Sequence, residues 1–153
     1  NTDDTTQTTG QVAAKTFQKF GLSITLTEDF KEETIQGYTS VYTTDNVAVF
    51  TLREGFDLMQ GFKDYTLQEY AELVRKNNIS RNPSKITTEA GLTVFEYEFK
   101  YEDQNQTYQY FTVCYKGPDA FWMVQMSAPA EEYDTLRADF VTWAESVKIE
   151  EKA

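Results

Sequence analysis

Residues 93–115 read TVFEYEFKYEDQNQTYQYFTVCY. Rings fall at Phe95, Tyr97, Phe99 and Tyr101, and again at Tyr108 and Tyr110, two positions apart within each run. Successive side chains of a strand point to opposite faces, so this spacing puts each run on one face of a sheet. The acids and amides of EDQNQ interrupt the pattern and read as a turn. The stretch therefore predicts a hairpin of strands 93–101 and 107–115. A turn centred on Gln104-Asn105 sets Tyr101 opposite Tyr108, Phe99 opposite Tyr110, Tyr97 opposite Thr112 and Phe95 opposite Cys114. Such a ladder is either a ligand platform or the inside of a protein. An apolar stripe of that length is expected to be covered.

The neighbouring segments supply the covers. After the breaker Gly117-Pro118, residues 120–128 form a third strand, which brings Phe121 to the Phe95/Cys114 row and Met123 to the Tyr97/Thr112 row. Pro129 then suits the start of a helix, with Glu131, Glu132 and Asp134 at its positive end. Tyr133, Leu136, Phe140, Trp143 and Val147 follow at helical spacing. Upstream, TLQEYAELVRKNN (66–78) is a second helix, its Thr66 and Glu69 placed for a capping box. Both helices are expected to pack on the ladder.

YTSVY (38–42) and NVAVFTLRE (46–54) flank TTDN as a further hairpin, and GLSITL (21–26) alternates as a strand. TEDFKEETIQG (27–37) reads as an acidic loop and VAAKTFQKF (12–20) as a short helix. The fold class is α+β, an antiparallel sheet of about five to six strands flanked by helices. Its expected domain plan is a flexible tether 1–11, one globular domain 12–149 and a frayed tail 150–153.

A chain of 153 residues fits one core, burying roughly 68–70% of its unfolded surface. The net charge of −11 disfavours nucleic acid and anionic membrane as partners, leaving proteins, cations and neutral ligands. The sequence has no histidine and one cysteine. That excludes an intrachain disulfide, the Ser-His and Cys-His nucleophile pairs, and the usual zinc ligands. No cofactor motif is present. No run approaches the ~20 apolar residues of a membrane span. The chain begins NTDDTTQTTGQ rather than with Met; a polar tether of this kind is expected where a secretory or lipoprotein leader has been removed. The alternative is a trimmed segment of a cytoplasmic protein. A lipid anchor upstream of Asn1 is the corresponding expectation.

The second sheet face carries Phe111, Val113, Trp122, Val124 and Met126 beside Glu96, Glu98 and Lys100. Trp122 and Phe111 with Glu96 and Glu98 form the candidate ligand patch; the alternative is that a helix or loop covers Trp122. Glu96 and Glu98 as neighbours on one strand read as a solvated face rather than a catalytic pair, whose members converge across a cleft. Glu102, Asp103 and Asn105 offer oxygens of the kind calcium takes, without the glycine and spacing of an EF-hand loop. Cys114, on the apolar face, reads as a buried thiol. Asn78-Ile79-Ser80 and Asn105-Gln106-Thr107 match the N-glycosylation pattern.

FGLSITLTEDF near the start, TLQEYAELV in the middle and FWMVQMSAPAEEYDTLRADFVTWAESV at the end resemble the PsbP-like family over residues 17–149. The resemblance lies in an early strand, a Leu-rich middle helix and a final strand–helix unit closing on Trp-x-x-Ser-Val. Thr27 stands where many members place a proline. It implies an antiparallel sheet flanked by helices, as in bacterial lipoproteins and non-catalytic accessory subunits, and carries over no binding residue. The function expected is a non-catalytic extracytoplasmic interaction domain. The alternatives are a small-ligand or calcium-binding module and, behind it, a carboxylate-based hydrolase.

Overall fold

The computed structural model describes residues 12–151 and opens with a hairpin, β1 (Ala14–Lys19) and β2 (Leu22–Thr27). The expected tether 1–11 lies outside the described residues. The expectation of a short helix over 12–20 is overturned. Phe20 and Gly21 both take left-handed backbone, φ 56° and 104°, the two-residue turn whose twist suits a strand pair. Phe17 then lies opposite Ile24, and this tertiary pairing outweighs the helical propensity of Ala13, Ala14 and Lys15.

β3 (Lys31–Glu33) lies within the expected acidic loop and pairs with β4 (Ser40–Thr43), which forms the expected hairpin with β5 (Ala48–Gly55). The helix α1 (Leu67–Asn77) carries the expected capping box. The Glu69 N–H donates to Thr66 Oγ1 at 3.1 Å, and the Thr66 N–H donates to Glu69 Oε1 at 2.8 Å. β6 (Thr87–Glu89), β7 (Leu92–Tyr101), β8 (Gln106–Lys116), β9 (Ala120–Pro129), α2 (Ala130–Glu145) and β10 (Lys148–Ile149) complete the order.

All pairings are antiparallel, in a seven-stranded sheet β3-β4-β5-β9-β8-β7-β6 and a three-stranded sheet β1-β2-β10. The α+β class is as expected. The strand count is larger than five or six because β3, β6 and β10 span only two or three residues, too few to show a period.

The register differs from the expected one by two residues in both hairpins. Tyr101 lies opposite Gln106, Phe99 opposite Tyr108, Tyr97 opposite Tyr110 and Phe95 opposite Thr112. The turn occupies Glu102–Asn105, with Glu102–Gln104 in a 3₁₀ turn and Asn105 at φ 50°. β9 is shifted likewise, so that Met123 faces Cys114 and Phe121 faces Lys116. A slip of two preserves which face each side chain occupies, whereas a slip of one would invert it. The ladder therefore stays on one face.

β9 is buried from end to end, so both faces of the large sheet need covers. On the ladder face, α1 lays Tyr70, Ala71 and Val74 over Phe95, Cys114, Phe121 and Met123. Phe121 stacks on Tyr70 at 4.5 Å. On the other face, α2 and the small sheet enclose Phe111, Val113, Trp122, Val124 and Met126. The helices thus cover opposite faces, not the ladder together as expected. Each face carries its own buried apolar cluster, and a helix buries a single stripe.

The Trp-x-x-Ser-Val end of the sequence closes this second layer. Trp143 meets Phe30 edge-on at 5.3 Å. Ser146 Oγ accepts from the Thr25 N–H at 2.9 Å and donates to the Trp143 carbonyl at 2.6 Å. The Glu150 N–H donates to the Gly21 carbonyl, so the chain is still tied down where fraying was expected to begin. Among the described residues, no helix is long and apolar enough to cross a membrane.

Candidate functional site

The expected patch is not an open surface. Trp122 and Phe111 have no solvent exposure; they lie under α2, where Phe140 approaches Phe111 at 6.3 Å between ring centres. Glu96, also expected there, is held by that helix. Its Oε1 accepts from the Tyr133 hydroxyl at 2.5 Å and from Arg137 Nε at 3.0 Å, and its Oε2 accepts from Arg137 Nη2 at 2.9 Å. Arg137 also donates to both oxygens of Glu89 at 2.7 Å. Glu98 remains exposed. The arrangement clamps α2 to β6 and β7.

The open surface lies on the opposite face, where α1 stops short. Its apolar side covers the end of the ladder holding Phe95, Cys114, Phe121 and Met123. Past it, Phe50, Phe99, Tyr101 and Tyr108 are only partly buried. Two grooves occupy this remainder. One, of about 430 Å³, runs between the end of α1, the 36–38 loop and the sheet. The other, of about 230 Å³, lies between Phe50, Tyr101, Tyr108 and Tyr110. The ring of Tyr38 packs on Phe50 at 4.8 Å, so residues at the edge of each groove touch.

Polar groups converge in the larger groove. Gln125, buried within apolar β9, donates through Nε2 to the Tyr97 hydroxyl oxygen at 2.8 Å and to Thr112 Oγ1 at 3.1 Å. Arg81 Nη1 donates to the same Tyr97 oxygen at 3.4 Å. The Arg81 guanidinium lies over Phe99, 4.4 Å from the ring centre, and among the described residues no carboxylate is within ion-pair distance of it. Burial pushes the Tyr97 phenol above its ordinary pKa, against the pull of Arg81. Tyr97 therefore keeps its proton at neutral pH and stays a donor. At the far wall, Glu54 accepts from the Tyr70 hydroxyl at 2.7 Å.

Burial pushes the Cys114 thiol far above its ordinary pKa, the state of a packed side chain rather than a nucleophile. Glu102, Asp103 and Asn105 sit exposed on the hairpin turn. Among the described residues, no three His, Cys, Asp or Glu side chains are grouped to hold a metal ion. Asn78 is engaged as the cap of α1, its Nδ2 donating to the Val74 carbonyl, whereas Asn105 is exposed.

Sequence reasoning missed Arg81, Tyr38 and Gln125. Gln125 left a legible mark, since it is the one amide inside FWMVQMSAP, and a buried amide needs partners. Arg81 and Tyr38 sit in loops whose position follows only from the packing of α1 and β4.

No family model and no curated protein sequence matches the chain. Solved structures do. Cyanobacterial PsbP (CyanoP) from Synechocystis superposes with a TM-score of 0.56 at 11% identity, over 92% of this chain and 95% of that one. LpqN, involved in cell envelope biogenesis of Mycobacterium tuberculosis, superposes with a TM-score of 0.51 at 12% identity, over 92% of each chain. Likeness at such low identity speaks to architecture alone, and over 92% of this chain it shows that the chain takes the PsbP-like fold.

Proposed function

We propose that this chain is a non-catalytic accessory domain that works outside the cytoplasm by docking a protein partner on the open half of its aromatic face. The observation that carries the reading is that α1 leaves half of the aromatic ladder only partly buried. Phe50, Tyr101 and Tyr108 stay partly exposed beside Tyr38, which is 37% exposed. Tyrosines give large contact area for little lost conformational freedom and favour interfaces. The non-catalytic part is supported by the state of the two groups best suited to chemistry: Glu96 is tied to Arg137, and Cys114 is buried. The extracytoplasmic part is supported by the shared fold of LpqN, a protein involved in cell envelope biogenesis.

The test is direct binding to a partner isolated from envelope extracts of the source organism. Tyr101→Ala with Tyr108→Ala, assayed at a temperature where the variant is folded, is expected to weaken it at least about tenfold, as hot-spot rings do. Undiminished binding refutes this placement. A small-ligand reading has one observation in its favour, a groove volume of about 430 Å³, within the range of ligand pockets.

A further inference from the structure

Arg81 is prepared for an anion in three respects. It lies over Phe99, 4.4 Å from the ring centre, a contact that restrains the side chain before anything binds and reduces the entropy lost on binding. One of its five N–H groups is directed to Tyr97, leaving the rest of a planar fork that matches a carboxylate. Among the described residues, no carboxylate pairs with it, in a chain with 25 acids.

Tyr97 completes the set. Its hydroxyl oxygen already accepts from Gln125 and from Arg81. A phenol that spends both lone pairs as acceptor has its own O–H left to give. Two donors, guanidinium and phenol, thus stand side by side at the groove wall. The rest of that wall includes Leu52, Val74 and Met123, and Met adapts readily to varied apolar shapes.

We propose that the larger groove captures the C-terminal residue of a partner polypeptide, with Arg81 and Tyr97 holding its carboxylate and Leu52, Val74 and Met123 receiving an apolar side chain. Capture of a chain-terminal carboxylate by preset donors is an established mode of peptide recognition. A polypeptide, rather than a free acid, is favoured by the second groove on the same face, which gives upstream residues a ring-lined track past Tyr38 and Phe50. The inference rests on the open ladder being the recognition face, and it names the chemistry of that face's partner.

The probes are an N-acetylated octapeptide ending in Leu-Phe with a free carboxylate, its C-terminal amide, and decanoate, titrated by calorimetry and by amide chemical shifts. The free-carboxylate peptide is expected to bind and to shift the Arg81, Tyr97 and Gln125 signals, with the amidated peptide at least about tenfold weaker. Arg81→Gln is expected to erase the difference between acid and amide at an unchanged thermal midpoint, and Tyr97→Phe to narrow it. Equal affinity for acid and amide, a difference that survives Arg81→Gln, or no binding of the peptide overturns the inference. Decanoate binding as tightly as the peptide overturns the polypeptide assignment. A partner released by Tyr101→Ala with Tyr108→Ala but indifferent to Arg81→Gln refutes this inference while leaving the recognition face standing.

Discussion

Replacing Arg137 by Met tests whether the clamp between α2 and the sheet is electrostatic. The arginine makes four hydrogen bonds of 2.7–3.0 Å to Glu89 and Glu96 and lies over Phe111 at 5.1 Å. The Glu89 side chain is 37% exposed, so solvent screens that pair to roughly 0.2–1 kcal/mol. Glu96 is 25% exposed and loses a charge-assisted partner, worth roughly 1–2 kcal/mol. Met keeps the packing on Phe111. The sum is about 2 kcal/mol, or a fall in thermal midpoint of roughly 4–8 °C for a domain of this size.

The pH dependence carries a sign. Hydrogen bonding to Arg137 holds the Glu89 carboxyl below its ordinary value of 4.5. A carboxylate depressed in the folded state contributes stability above its unfolded pKa and loses it as the pH falls through the folded one. Thermal unfolding followed by circular dichroism is therefore expected to show a wider gap between wild type and Arg137→Met at pH 7 than at pH 3. In a Glu89→Gln background the Glu89 share of that pH dependence should vanish. A gap of equal size at both pH values would show that Arg137 acts through packing alone and refute the electrostatic account.

Two further outcomes follow from the fold. Trp122→Ala should cost about 3–5 kcal/mol, read as a fall in denaturant midpoint, because the indole has no exposure; a surface platform would lose less than about 1 kcal/mol. Phe20→Asn should raise the thermal midpoint, by about 0.5–1 kcal/mol of stability, since Phe20 sits at φ 56° before Gly21 and Asn-Gly suits that turn. A lowered midpoint would mean that the Phe20 ring contributes more than its backbone strain costs.

Much of this protein was legible because its signals are periodic and local. The period-2 rings of β7 and β8, the capping box of α1 and the apolar spacing of α2 each specify an element from neighbours in sequence. Facing survived even where register did not, because the alternation is fixed by covalent geometry while the two-residue shift depended on how Glu102–Asn105 closes. By itself, then, the sequence determined the two helices and the longer strands β2, β4, β5, β7, β8 and β9, the two faces of the sheet, and the lack of histidine chemistry.

Which helix lies on which face was decided by tertiary packing. An apolar stripe says that a helix must be buried, not against what. For that reason the strand pattern left open whether Trp122 and Phe111 formed a ligand patch or lay under a cover, and they are core beneath α2. The site moved to the ladder itself, at the place where α1, only 11 residues long, runs out of length to cover it. Arg81, Tyr97 and Gln125 meet there from a loop and two strands that are not neighbours in the sheet. No spacing in the sequence encodes that meeting, because it is set by the sum of the packing and not by any one segment.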